Sequence, residues 1–155
     1  MKEQTKIRMD IITSRYARRV KEAGSVGELV AARHAEFLRG FERVRAEVLR
    51  PAMEAIGGEL TRAGHGYRVE VDDAGERLCV DFHLVITAAS SGARKVIRLF
   101  TGVDKEGRSE VVAEVEMKGN LMELTRFHQI DEISPDVVEQ MFVDAIEHVF
   151  ACNGG

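Results

Sequence analysis

At 155 residues the chain fits one domain, large enough to bury a core without disulfides or metals. No apolar run approaches the ~18 residues of a membrane-spanning helix, and the charged opening Met1–Asp10 lacks the apolar stretch of a secretory signal, so the expected compartment is the cytoplasm. Net charge is −4, which argues against broad nucleic-acid contact.

That charge is uneven. Residues 1–24 hold seven basic side chains (Lys2, Lys6, Arg8, Arg15, Arg18, Arg19, Lys21) against three acidic ones (Glu3, Asp10, Glu22), a local +4 that leaves −8 for residues 25–155. Residues 1–24 are expected as a basic leader, partly disordered, and residues 25–155 as a single α+β domain.

Ser25-Val26-Gly27-Glu28 has the S-x-x-E form of a capping box and is expected to start a long helix. Val30, Phe37, Phe41, Val44 and Val48 follow at helical spacing, with His34 in the same stripe. Pro51 cannot donate to the preceding turn, so a kink or restart is expected there. A second helical stretch carries Met53, Ile56 and Leu60 on one face and ends at Gly64-His65-Gly66.

Strict alternation then predicts strands. Tyr67, Val69 and Val71 oppose Arg68, Glu70 and Asp72 in the first. Asp73–Glu76 is expected as a turn into the second, whose buried parity is Leu78, Val80, Phe82, Leu84 and Ile86. Pairing Asp72 with Arg77 sets Arg68 opposite Asp81. A small-residue loop over Ala88–Ala93 leads to a third strand from Lys95 to Val103. Lys105-Glu106-Gly107 is expected as a hairpin loop that pairs Arg98 with Glu114. Gly119-Asn120 is expected as the next turn, and a fifth strand runs from Leu121 to Gln129. Ser134-Pro135 caps a last helix bearing Val138, Met141, Phe142, Ala145, Val149 and Phe150, and Asn153-Gly154 stops it. The sum is a five-stranded, mainly antiparallel meander with helices on one face.

Two departures from alternation mark candidate surfaces. Phe100, Val112 and Phe127, with Val85 and Val96, fall on the outer face, a cluster that suggests a contact site unless the leader or last helix covers it. Arg126 and His128 fall on the inner face; a bulge near Thr125 would turn them outward. As they stand, they form a candidate contact for a small anionic ligand.

No catalytic or cofactor motif is present: no Walker A loop, G-x-G-x-x-G, G-x-S-x-G or HExxH. Asp81 with His83 is too sparse for zinc, which wants three or four convergent ligands, and Glu114, Glu116 and Glu123 are expected as a solvated acidic face. Neither cofactor nor metal is expected.

The resulting expectation is a non-catalytic protein–protein interaction module, adaptor- or chaperone-like and homodimeric. Its candidate interface is Phe100, Val112, Phe127, Val30, His34 and Phe37. Val30 and His34 lie where the long helix overhangs a sheet of ordinary strand length. The alternatives are the anionic ligand at Arg126 and His128, and a regulator touching nucleic acid through its basic leader. In size, acidity and helix-first layout the chain resembles small acidic secretion chaperones, which dimerise and bind partner proteins. It departs from them at Ala88–Ala93, too short for the helix they place between strand groups.

Overall fold

The computed structural model describes residues 2–73, 77–86, 95–117 and 119–153, without the side chains of Ala23, Ser25, Val26 and Asn153. In order come α1 (Glu3–Val44), α2 (Arg50–Arg62), β1 (Gly66–Asp72), β2 (Cys79–Val85), β3 (Lys95–Val103), β4 (Ser109–Met117), β5 (Asn120–Phe127) and α3 (Pro135–Asn153). The class is α+β, as the alternation and helical stripes require. The expected loop over Ala88–Ala93 and most of the turn at 73–76 lie outside the described residues. The chain divides into two compact units, Met1–Glu36 and Phe37–Gly155.

The first unit is a helical arm. α1 begins at Glu3, so the helix start expected at Ser25 is corrected. A Ser side chain caps a helix only where the preceding backbone leaves helical geometry. Here residues 4–21 contain neither Gly nor Pro and carry the helix through.

In the second unit the stripe of Phe41 and Val44 joins Leu49, Met53 and Leu60 in the core. Between α1 and α2 the winding changes without a break: Arg45–Leu49 form a π-helical stretch, with both flanking residues in right-handed helical geometry. Pro51 follows in the first turn of α2, where it brings no N–H that would need a partner. The kink or restart expected at Pro51 itself is not confirmed; the change of winding lies before it, at Arg45–Leu49. Gly64, at φ +93°, ends the helical run, and the His65 N–H donates back to the Leu60 carbonyl at 2.9 Å.

The sheet has the order β1-β2-β3-β4-β5, all neighbours antiparallel. β3 and β4 pair in the expected register, Arg98 opposite Glu114. Their hairpin closes on Gly107 at φ +81°, while Asp104 Oδ1 accepts the Glu106 and Arg108 N–H groups. The β1–β2 register differs by two residues: Arg68 faces His83 and Glu70 faces Asp81, so the expected Arg68–Asp81 pair is corrected. A shift of two keeps every side chain on its face.

The inner face presents Val80, Phe82, Leu84, Ile97, Leu99, Val111, Ala113, Val115 and Phe127 to Phe142, Val138, Ala145 and Val149 of α3 and to the helical core residues above. One contact chain crosses the layers. Tyr67 of β1 lies against Gly57 of α2 and stacks on Phe82 at 5.8 Å, and Phe82 meets Phe142 edge-on at 5.7 Å.

Candidate functional site

A register irregularity rearranges the outer face. Met117 pairs with Asn120, so Asn120, expected in the turn, is instead the first residue of β5. Glu114 then faces Glu123, but Ala113 faces Thr125, leaving Leu124 as the extra residue in β5. Beyond it every side chain of β5 changes face. Phe127, expected outside, pairs with Val111 and is 4% exposed in the core. Arg126, expected inside, pairs with Val112 on the outer face. His128, expected inside too, reaches Asp104 and Glu110. The bulge allowed for near Thr125 is the cause.

Of the expected outer apolar corner, Val112 is buried and Phe100 is half-buried beneath the Arg77 guanidinium, 4.6 Å from its ring centroid. Val96 is buried and Val85 is exposed. Val30 and His34 lie in the arm, Val30 exposed and His34 half-buried. Phe37 packs against the core of the second unit.

Two charged networks occupy the outer face. In the first, Arg98 grips Asp81 through both carboxylate oxygens at 2.8 and 3.1 Å, and His83 meets Glu70 at 3.0 Å. Burial pushes the Asp81 carboxyl up, but the Arg98 hydrogen bond and charge, the Cys79 thiol and His83 overcome it and hold it below its usual value. In the second, Arg126 Nη1 reaches both oxygens of buried Glu110 at 2.8 and 3.0 Å, and its Nε reaches Glu123 at 2.5 Å. His128 sits 3.2 Å from Asp104 and 3.5 Å from Glu110. The Arg108 backbone N–H leads the groups that hold Asp104 low, against burial.

Glu70, Asp81 and His83, and likewise Asp104, Glu110 and His128, bring ligating atoms within 4.8 Å of one another. In each trio an arginine already takes both oxygens of a buried carboxylate, so a divalent cation would lie against a guanidinium. These are ion-pair networks that satisfy buried charge; no buried side-chain polar atom lacks a partner among the described residues. Nor does the second network invite an anion. Arg126 is shared by two carboxylates, and an incoming anion would face Asp104, Glu110 and Glu123.

Cys79 borders the first network, its thiol donating to Asp81 Oδ1 at 3.4 Å. Burial foremost, then the Asp81 charge, pushes this thiol up to about 11 from 9.0. Its thiolate fraction at neutral pH is therefore ~100-fold below that of an ordinary thiol. Exposed Cys152 should take up iodoacetamide first and Cys79 should lag far behind. Peptide mass spectrometry on timed samples checks this, and equal rates at both positions would contradict the assignment.

Between α2 and α3 runs an open groove of about 600 Å³. Its floor includes Val48, Ile56, Leu60, Val143 and Ile146, and its lining carries Glu47, Glu59 and Glu139 without a single cation. Val143 is 47% exposed. Sequence reading missed this groove because its walls come from helices separated by the whole sheet.

The arm offers the other open surface. Every described side chain from Lys2 to Arg33 is exposed. Met9, Ile12, Tyr16 and Val20, spaced by three, four and four, form one stripe with exposures between 48 and 70%. Arg8, Arg15 and Arg19 flank it on one side by the same helical geometry. The signal lay in the sequence, in a stretch expected to be a leader.

The comparisons add no relative: no family model, no curated protein and no solved structure matches this chain.

Proposed function

We propose that the protein is a non-catalytic interaction module that associates with a second copy of itself through the arm of α1. The carrying observation is the exposed stripe Met9, Ile12, Tyr16 and Val20. A helix of this length draws its stability chiefly from packing one face, and Gly24 and Gly27 each weaken it by ~1 kcal/mol relative to Ala. An exposed apolar stripe is thus both a cost to the lone chain and a surface for a partner. Charge favours a second copy: the first 24 residues carry +4 and the remainder −8, so arm against body attracts, whereas two arms in parallel would set like charges together.

The outer-face networks support this reading over a ligand site, because their cations are matched by carboxylates within the chain. A chaperone- or adaptor-like role, with a further protein partner, is the natural extension of a self-associating module.

Absolute mass by light scattering after size exclusion, across a dilution series, tests the proposal. A dimer is expected in the wild type. Tyr16→Asp, at a position that makes no core contact, should shift it towards monomer with helicity unchanged. A wild-type monomer at every concentration would overturn the reading.

A further inference from the structure

We propose that the α2–α3 groove is the seat for the arm of the second copy, so that the dimer forms by reciprocal exchange of arms. This rests on the self-association reading above and names the surface that receives the stripe.

Three features of groove and arm correspond. The first is apolar shape. The groove is a trough between two helices floored by Val48, Ile56, Leu60, Val143 and Ile146. Met9, Ile12, Tyr16 and Val20 are anchors at positions i, i+3, i+7 and i+11, the pattern by which a helix lies in an apolar trough.

The second is charge. Glu47, Glu59 and Glu139 edge the groove, and Arg8, Arg15 and Arg19 edge the stripe. Glu59 also holds an exposed ion pair with Arg62, which leaves its carboxylate able to take a second cation. Rim charges of opposite sign speed encounter and select the partner more than they add affinity, and the apolar floor supplies the rest.

The third is length. From Met9 to Val20 the arm rises ~17 Å and the 13 residues of α2 span ~20 Å, both at 1.5 Å per residue. Residues 2–22 are exposed, and the groove is lined by residues between Glu47 and Ile146. Exchange of two arms across one twofold axis fills both seats and leaves no open end for further growth.

The test is charge exchange in the full-length chain. One variant carries Arg8→Glu, Arg15→Glu and Arg19→Glu; the other carries Glu47→Lys, Glu59→Lys and Glu139→Lys. Each alone should raise the dimer dissociation constant by about tenfold or more. Mixed one to one, they should form a heterodimer near wild-type strength, because reversed arm meets reversed groove and native arm meets native groove. Val143→Glu, at an exposed position, provides a groove variant whose folding does not depend on the rim, and it too should dissociate. Circular dichroism confirms that each variant keeps its helices.

If both groove variants dimerise like the wild type while the arm variant does not, the seat is elsewhere, and the self-association reading survives without this one. Absence of a heterodimer on mixing two folded monomeric variants would also overturn the exchange. So would a monomeric wild type whose arm is protected from protease until the groove is reversed, since the chain would then hold its own arm. A wild-type monomer with an unprotected arm would remove both readings together.

Discussion

Phe127→Asp is expected to abolish the native fold, and Phe100→Asp to leave it standing. Phe127 is 4% exposed, pairs with Val111 and belongs to the core that unites the inner sheet face with α3. Truncating a core Phe alone removes ~3–5 kcal/mol, and a carboxylate placed there would ionise only at a further desolvation cost or remain protonated and poorly satisfied. That loss rivals the whole stability of a typical domain. Phe100 lies half-buried on the opposite face under Arg77, and an Asp there stays within reach of that guanidinium and of water. Thermal denaturation followed by circular dichroism separates the two. A cooperative transition for Phe127→Asp close to that of the wild type would show that β5 does not turn at Leu124. By sequence alternation alone both substitutions should behave alike, as surface changes that weaken association, so this pair measures what the bulge does.

Gly57→Ala should destabilise the protein by roughly 2 kcal/mol, although helix propensity favours Ala over Gly by ~1 kcal/mol. A methyl group at Gly57 would lie 2.4–2.5 Å from three Tyr67 ring carbons, well inside contact distance. The ring has little room to withdraw. Its other side stacks on Phe82, which meets Phe142, and its hydroxyl hydrogen-bonds to Glu54. Relief therefore requires β1 to move off α2 or the stack to open. Gly58, the next residue, has nothing within 4 Å of its would-be methyl, so Gly58→Ala is the matched control and should stabilise α2 by ~1 kcal/mol. Urea unfolding of the pair checks both signs at once. Equal stabilisation by both substitutions would mean that Tyr67 does not pack on Gly57.

Arg45 shows a related blind spot. It is a buried arginine in the π-helical stretch, paired with Asp73 at 2.7 Å and donating to the Cys79 carbonyl at 3.2 Å. Nothing in its neighbours along the chain marks it as different from Arg43 or Arg50. Its role comes from the strand end that happens to lie beneath it. The same holds for Glu110, whose burial depends on Arg126 arriving from β5.

What could be read along the chain was whatever short-range geometry dictates. Alternation placed all five strands, Gly64 ended the helical run, Ser134 and Pro135 opened α3, and Gly107 shaped the β3–β4 hairpin. Each follows from residues a few positions apart, and each survives because backbone preferences and side-chain period are local. The faces of β1 and β2 survived even a register error, since a shift of two preserves parity. Parity after Leu124 did not survive, because one extra residue inverts every position beyond it, and only pairing with β4 creates that extra residue. The start of α1 is not marked by the capping pattern at Ser25–Glu28, because the helix already runs through it from Glu3, and the spacing of Met9, Ile12, Tyr16 and Val20 carries that signal. The groove lay beyond any such reading. It exists because α2 and α3, separated in sequence by the entire sheet, pack side by side on one face, and packing over that separation is set by the shapes of the buried side chains as a whole.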